Sequence, residues 1–140
     1  MKIAVGLSGG VDSSVAAKML IDQGHDVYGV TLQLLEEGNH IAEEGAAKKI
    51  ITEAAHAAQR LGIPYRVYDF RAEFKKQVID YFIDGYRRGE TPNPCYFCNR
   101  RIKFGLFLDR AVQDGFDAVA TGHYAKIFRD TAGLFGLAQG

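Results

Sequence analysis

Residues 6–14, with the sequence Gly-Leu-Ser-Gly-Gly-Val-Asp-Ser-Ser, combine the residue types that hold a phosphate group. Glycines lack side chains, so backbone N–H groups can approach an oxyanion closely. A helix that starts near Asp12 or Ser13 adds free N–H groups and the positive end of its dipole. Hydroxyl donors come from Ser8, Ser13 and Ser14. The pattern predicts a phosphate-binding loop between a strand and a helix.

Asp12 indicates a metal ion at the same place. No lysine follows the glycines, so the string differs from the Gly-Lys-Ser/Thr loop of common P-loop NTPases. A carboxylate next to a bound phosphate is repelled unless a cation lies between them, which favours Mg²⁺ at Asp12. The simpler interpretation is structural: Gly9 and Gly10 make a tight turn, and Asp12 with Ser13 caps the helix.

Cys95 and Cys98 are the only cysteines in the chain, and two residues separate them. They follow two prolines, which restrict the backbone where a flexible loop would otherwise be expected. Cys98 lies near the predicted start of a helix and close to basic residues, a setting that lowers the pKa of a thiol. These basic residues are Arg100, Arg101 and Lys103.

Three interpretations of the cysteine pair compete. The two could be buried packing residues, although their polar, proline-rich surroundings argue against this. They could form half of a zinc or iron–sulfur site, although two ligands complete neither and the chain holds no second pair. We favour the third interpretation, a reactive pair engaged in sulfur chemistry.

Alternating strand and helix patterns must position these residues. The pattern predicts an α/β fold, a Rossmann-like three-layer α/β/α sandwich with a mostly parallel sheet. In such sheets ligands bind beyond the carboxyl ends of the strands. The predicted strands are 2–6, 27–32, 63–68 and 117–121; the helices are 13–23, 42–61, 74–86 and 102–112; 36–40 and 89–98 are loops; and 124–128 with 134–137 forms a hairpin.

The composition is that of one ordinary globular domain, with 140 residues, 47% hydrophobic and 24% charged. The 17 basic and 17 acidic residues cancel, so any nucleic-acid-binding surface must be local. No apolar run approaches the roughly 18 residues of a membrane helix, and the N-terminus lacks a signal-peptide pattern. We therefore expect no membrane association and a cytoplasmic, reducing location.

Several weaker signals carry two interpretations each. His123 follows a strand and could meet a phosphate or simply bond to backbone. Three other histidines have no spacing suited to a metal. Aromatic residues of the third helix are expected in the core rather than on a base-stacking surface. The three histidines are His25, His40 and His56, and the aromatic residues are Tyr81, Phe82 and Tyr86.

The string Ser-Gly-Gly-Val-Asp-Ser at 8–13 resembles the signature of the PP-loop ATP pyrophosphatases. The resemblance implies an adenine nucleotide α-hydrolase-like fold and an enzyme that adenylates its substrate and releases pyrophosphate. The signature does not choose among the members of that superfamily.

The string from Thr91 to Phe104 and the string Ala-Thr-Gly-His-Tyr-Ala at 120–125 closely resemble the bacterial tRNA-uridine 2-sulfurtransferases, the MnmA-type thiolases. The resemblance implies ATP-dependent adenylation and 2-thiolation of the wobble uridine of tRNA, with ATP, Mg²⁺, tRNA and a persulfide sulfur donor protein as reactants or partners. Cys98 carries the persulfide by this resemblance, Leu32 lines the adenine pocket, and Asn93, Pro94 and Cys95 face the uridine. The ATP contacts it implies are Gly6, Leu7, Ser8, Gly9, Gly10, Val11, Asp12, Ser13 and Gly122.

The basic residues around the cysteines acquire a further interpretation from this resemblance. Arg87, Arg88 and the three basic residues at 100–103 could contact tRNA phosphates, in a salt-dependent way. The alternative is that they are solvated helix ends.

This sequence departs from the family pattern in two ways. Many members carry Asp where this chain has Cys95, and that Asp is the expected acid/base. Cys95 could instead join an iron–sulfur cluster or a disulfide exchange. The family also has a further cysteine in a central domain, followed by a β-barrel. We therefore expect residues 1–140 to form a single ATP-binding domain lacking both, as a fragment or a partial enzyme that needs a partner.

The expected catalytic residues are Cys98, Cys95 and Asp12. Two alternatives remain. One is another PP-loop enzyme or a sulfur-insertion enzyme that uses an iron–sulfur cluster. The other is a nucleotide-binding module without complete turnover.

Overall fold

A parallel four-stranded sheet forms the centre of the computed structural model, which describes residues 1–36 and 45–139. A separate antiparallel hairpin follows the sheet. The strands are β1 (Lys2–Gly6), β2 (Asp26–Gln33), β3 (Tyr65–Asp69), β4 (Ala118–Ala120), β5 (Ala125–Arg129) and β6 (Phe135–Gln139). The helices are α1 (Val11–Asp22), α2 (Ala46–Leu61), α3 (Arg71–Phe74), α4 (Asp80–Arg87), α5 (Pro94–Phe97) and α6 (Phe107–Gln113), with π-helical segments at Lys75–Ile79 and Cys98–Leu106.

The strand order β3-β2-β1-β4 places β1 in the interior of the sheet, parallel to both of its neighbours. Successive residues of β1 point to opposite faces, as the pleat requires. Ile3 and Val5 join one buried cluster, and Ala4 joins another on the opposite face. A strand buried on both faces is continuously apolar, and this explains the sequence of β1.

The two clusters define three layers. One face of the sheet is covered by α1 and α2, which contribute Ala17, Ala54 and Ala58. The other face is covered by the helical stretches 71–87 and 94–113, which contribute Val78, Ile102 and Phe107 among others. The predicted three-layer α/β/α sandwich is therefore confirmed.

The loop predicted for residues 89–98 ends earlier than expected, because a helix begins at Pro94. Asn93 caps it by accepting a hydrogen bond from the Tyr96 N–H at 3.2 Å on its Oδ1. Proline is favoured at the first helical position, where its missing N–H costs nothing. The helix continues without interruption to Gln113. We call residues 94–113 the cysteine helix.

Residues 71–87 form a longer helical stretch than the predicted helix 74–86. Its π-helical segment Lys75–Ile79 adds a residue to one turn and rotates everything that follows. Tyr86, near the end of this stretch, is 55% exposed, against the expectation that it lies in the core.

The described helix α2 begins at Ala46, so the predicted start at residue 42 lies outside the described residues. Most of the predicted loop 36–40, including His40, lies outside them too. The predicted hairpin is confirmed, with strands one or two residues later than expected. None of the described helices has the length and apolarity needed to cross a bilayer.

A phosphate-loop pocket joined to the cysteine helix

A pocket of about 510 Å³ opens where β1, β2 and β4 end. This volume lies within the range of small-molecule sites, and the position is the one expected for a parallel sheet. Seven predicted ligand-contact residues line it: Gly6, Leu7, Ser8, Asp12, Ser13, Leu32 and Gly122. The other three predicted contacts, Gly9, Gly10 and Val11, belong to the loop but not to the pocket lining.

The phosphate loop, residues 6–13, is held by packing against α2 and by a hydrogen bond to one of its own side chains. Gly9 has a positive φ of 79°, and a Cβ there would lie 2.6 Å from Cβ of Glu53, so the loop is pressed against α2. The buried Ser13 hydroxyl accepts a hydrogen bond from the Ser8 N–H at 3.3 Å. These contacts curve the loop around the start of α1 and leave the pocket side open.

The helix α1 begins at Val11, with Gly10 as its N-cap and no side-chain cap. Asp12 therefore lies inside the first turn, so the interpretation of Asp12 and Ser13 as caps is not supported. The first N–H groups of a helix have no intrahelical partner. At this helix no capping side chain takes them, which favours an anion as their acceptor.

The Asp12 carboxylate receives a hydrogen bond from the Tyr124 hydroxyl at 2.8 Å on Oδ1. This hydrogen bond raises the pKa of Tyr124 above its ordinary value. Mg²⁺ is held in nucleotide sites by one or two carboxylates together with phosphate oxygens, so a single Asp12 at this position fits such an ion. Within residues 1–36 and 45–139, no three His, Cys, Asp or Glu side chains are grouped so as to hold a metal. Among those described residues, Cys95 and Cys98 have no further ligands of the kind that an iron–sulfur or zinc site needs.

A buried hydrogen-bond network supports the floor of the pocket. The Thr31 hydroxyl donates to the backbone carbonyl of Leu7 at 2.8 Å, and the Tyr65 hydroxyl donates to Thr31 Oγ1 at 2.8 Å. The network fixes the first residue after β1 to the neighbouring strand. Local sequence patterns do not reveal this network, because Thr31 and Tyr65 are 34 residues apart.

The two cysteines occupy successive turns of the cysteine helix and are both free thiols. Cys95 is exposed in the first turn, whereas Cys98 is half-buried at the start of the π-helical segment. Burial raises the pKa of Cys98; the charge of Lys103 acts against this, and a Cys95 thiolate acts with it. The predicted lowering of this pKa is wrong, because Cys98 is not at the helix N-terminus and desolvation outweighs the nearby cation.

The neighbouring helical stretch braces the first turns of the cysteine helix. The rings of Tyr81 and Phe97 pack with centroids 4.0 Å apart, and the guanidinium of Arg101 lies over the Phe97 ring, 5.2 Å from its centroid. Pro92 packs directly on Gly85, where a Cβ would lie 2.8 Å from Pro92 Cγ. The predicted structural role of Tyr81 is thus supported.

The predicted uridine contacts lie outside the pocket lining. Asn93 is used as the helix cap, and Pro94 and Cys95 form the first turn. Further along the same helix, Lys103 and Phe107 form part of the pocket wall. The cysteine pair and the phosphate loop therefore belong to one connected region, joined by this helix.

His123 and the arginines have local partners. Nδ1 of His123 lies 2.9 Å from Oγ1 of Thr121, and burial, followed by the charge of Lys103, lowers the pKa of His123. Arg87 pairs with Asp84, and Arg88 with Glu90. Exposed pairs of this kind contribute little to stability and leave the charges available to solvent.

Solved structures share this fold. One is described as a predicted subunit of tRNA methyltransferase from Methanocaldococcus jannaschii; it matches with a TM-score of 0.55 and 20% identity over 89% of this chain and 53% of its own. NMN synthetase from Francisella tularensis matches with a TM-score of 0.51 and 17% identity over 84% of this chain and 43% of its own. The fold and the pocket define a three-layer α/β domain with a pocket beside a glycine-rich loop at the sheet edge.

A family model described as the tRNA methyl transferase HUP domain matches residues 1–140, and the chain belongs to this family. Curated relatives are named tRNA-specific 2-thiouridylase MnmA. The protein from Treponema denticola is 59% identical over 127 residues, and that from Clostridioides difficile is 51% identical over 131. The matches cover 91% and 92% of this chain, but only 34% and 36% of those relatives. The chain thus spans about a third of their length.

Proposed function

We propose that this chain is the ATP-binding catalytic domain of a tRNA 2-thiouridylase, which activates the wobble uridine with ATP and replaces its 2-oxygen with sulfur. One observation carries the proposal. A single uninterrupted helix holds Cys98 near one end and contributes Lys103 and Phe107 to the wall of the phosphate-loop pocket. The names of the relatives support the same reaction.

In this proposal the phosphates of ATP lie against the first turn of α1. The free N–H groups there and the hydroxyls of Ser8 and Ser13 supply donors, and the helix dipole favours the negative charge. The adenine ring packs at the end of β2 near Leu32, where the pocket lining is mainly apolar. Asp12 would hold Mg²⁺, and the ion would supply positive charge to neutralise the phosphates.

The first chemical step forms an adenylate. The uridine 2-oxygen attacks the α-phosphorus of ATP, the bond to the β-phosphate oxygen breaks, and pyrophosphate leaves. The N3 proton of the uridine is lost as O2 becomes bonded to phosphorus. The adenylate turns the 2-oxygen into part of a good leaving group, AMP.

The second step transfers sulfur from a persulfide on Cys98. Its terminal sulfur attacks C2 of the uridine, and AMP leaves with the original 2-oxygen. A second thiol must then attack the Cys98 sulfur, so that 2-thiouridine departs while the two cysteines become oxidised to a disulfide. Cys95 is the other thiol in these 140 residues, one turn away on the same helix. An external thiol reductant and a persulfide donor protein complete the cycle.

The two steps can be tested separately with an unmodified tRNA transcript, ATP, Mg²⁺ and a persulfide donor. The chain and the Treponema denticola relative, as a positive control, are assayed for AMP release and for 2-thiouridine by mass spectrometry. Cys98→Ser should abolish 2-thiouridine and leave formation of the tRNA adenylate intact. Cys95→Ser should allow one transfer per enzyme at most and then stop with the tRNA bound.

Retention of thiolation by Cys98→Ser would disprove the role of this thiol. ATP-dependent thermal stabilisation of the chain without AMP release or thiolation, in an assay where the relative is active, would favour the nucleotide-binding module instead.

A further inference from the structure

The phosphate loop carries no lysine, yet a bound triphosphate brings several negative charges into the pocket. Among the lining residues that the structure describes, Lys103 is the one lysine or arginine and Asp12 is the one carboxylate. His123 also lines the pocket, but burial lowers its pKa and so disfavours its charged form. Lys103 does not come from the loop. It reaches the pocket from the cysteine helix, on the other face of the sheet from α1.

The ammonium group of Lys103 is free of ion pairs within the described part of the chain, although eight other basic residues there have carboxylate partners. The one acid of the pocket, Asp12, is instead hydrogen-bonded to Tyr124. Lys103 is partly withdrawn from water, and desolvating a cation without a counter-ion lowers the stability of the folded chain. An anion bound in the pocket would offset that loss.

The winding of the cysteine helix explains how Lys103 reaches this position. Between Cys98 and Leu106 the hydrogen bonds join residues five apart, and the N–H of Phe107 donates to the carbonyl of Ile102. In an α-helix, positions 98 and 103 would be rotated about 140° from each other. Wider turns bring them towards the same side, and π-helical segments occur frequently at functional sites.

We propose that Lys103 binds the phosphate chain of ATP, supplying the cation that the phosphate loop lacks, and that the π-helical winding puts this cation on the same side of the helix as Cys98. This inference rests on the proposed function, in that it takes the pocket to be the ATP site. It adds a binding residue outside the loop and links that residue physically to the thiol.

A consequence follows for the thiol. The charged or titratable groups that act on Cys98 among the described residues are Lys103 and Cys95, and the Lys103 charge favours the thiolate. Phosphates bound to Lys103 neutralise part of that charge. The Cys98 thiol is therefore less reactive while the triphosphate or pyrophosphate is bound, and becomes more reactive once pyrophosphate has left.

Binding of ATP and of adenosine to the chain tests the proposal directly. Lys103→Met should weaken ATP binding about 10-fold or more, the loss expected for a charge-assisted contact, and leave adenosine binding unchanged. Lys103→Arg should keep most of the ATP affinity. Lys76→Met is the matched control, since Lys76 is an exposed lysine of the other π-helical segment and lies outside the pocket. Circular dichroism and thermal melting check that each variant is folded.

Three results would overturn the inference, and they separate it from the proposed function. Unchanged ATP affinity in Lys103→Met would reject the role of Lys103 in binding phosphate and leave the proposed ATP site standing. Equal losses for ATP and adenosine would assign it a structural role. Failure of the unmodified chain to bind ATP would reject the proposed ATP site and, with it, this inference.

The link to Cys98 has its own readout. In a Cys95→Ser background, the rate of Cys98 alkylation by iodoacetamide is measured with and without inorganic pyrophosphate at concentrations that saturate each variant. Pyrophosphate should slow alkylation several-fold when Lys103 is present and have little effect in Lys103→Met. Equal slowing in both would mean that the ligand merely shields the thiol, which would contradict the link.

Discussion

Gly122 lies so close to the backbone of Ser13 that a Cβ on Gly122 would be 2.7 Å from the Ser13 amide nitrogen and 3.0 Å from the carbonyl carbon of Asp12. Both neighbours are backbone atoms of the first turn of α1, so no side chain can rotate away. The segment after β4 and the phosphate loop thus form one rigid wall of the pocket.

Gly122→Ala should therefore damage the pocket as well as the fold. We expect a loss of about 1–3 kcal/mol in the free energy of unfolding, typical of overpacking, and a clear loss of ATP affinity. Gly24→Ala is the control: it strains a residue with φ of 82° but meets no atom within 4 Å, so it should lower stability and leave ATP binding unchanged. ATP binding by Gly122→Ala equal to that of the unmodified chain would contradict this account.

Gly85→Ala tests how the cysteine helix is anchored. Helix propensity alone predicts a gain of about 1 kcal/mol. The new Cβ would instead lie 2.8 Å from Pro92 Cγ, and overpacking costs about 1–3 kcal/mol. We expect a net loss of stability in denaturant melts and faster alkylation of Cys98 as its surroundings loosen.

The double variant Gly85→Ala/Pro92→Ala removes the ring that is in the way. It should recover most of the stability lost by the single Gly85→Ala variant. If the stability losses of Gly85→Ala and of Pro92→Ala alone simply add in the double variant, the contact between these residues does not position the helix.

Local patterns were enough to predict the sheet, the three layers and the phosphate loop. A few adjacent residues are enough to predict β1, from its apolar run, and the loop after it, from its glycines. The start of the cysteine helix was also present in the sequence, since Asn93 followed by Pro94 is a known helix start. Two prolines close together also predict a loop, and here the helix start is the structure that forms.

The remaining features depend on contacts that sequence spacing does not reveal. Tyr124 meets Asp12 across 112 residues, and Thr31 meets Leu7 across 24. The π-helical turns have no local signature, and without them Lys103 could not be assigned to the pocket. The reactivity of Cys98 was misjudged because the nearby cations are visible in the sequence, whereas its burial is not.

Thr31→Val removes the hydroxyl that joins β2 to the phosphate loop, at nearly constant volume. The carbonyl of Leu7 loses this buried donor, and Tyr65 loses one acceptor, so we expect a loss of about 1–3 kcal/mol in unfolding experiments. Thr52→Val is the matched control, because its hydroxyl also donates to a backbone carbonyl but at an exposed position. It should change stability by about 0.5 kcal/mol or less. Equal losses in both variants would rule out a special role for the buried network.

Asp12→Asn separates a metal ligand from a structural residue. With Mg²⁺ present, we expect ATP affinity to fall, because the amide is a poor ligand for the ion. With Mg²⁺ removed by EDTA, the same variant should bind ATP as well as or better than the unmodified chain, since a repulsive charge is gone. Asp22→Asn, at the far end of α1, should change neither measurement. A loss of affinity that is the same with and without Mg²⁺ would exclude the proposed metal role.

The pH dependence of Cys98 follows from the direction of its pKa shift. Burial raises the pKa of this thiol, so the folded chain binds its proton more tightly than the unfolded chain does. The associated stability is complete below the unfolded-state pKa and is lost as pH rises towards the folded-state pKa.

In Cys95→Ser, where Cys98 is the single thiol, the alkylation rate should still be rising at a pH where N-acetylcysteine has levelled off. Lys103→Met in the same background should move the profile to still higher pH, because it removes the one cation that favours the thiolate among the described residues. A profile that levels off below that of N-acetylcysteine would show instead that the thiol is activated in the resting chain. A raised pKa means that less of the Cys98 thiol is ionised at neutral pH than of a free cysteine, so the thiol of the resting chain is the slower nucleophile.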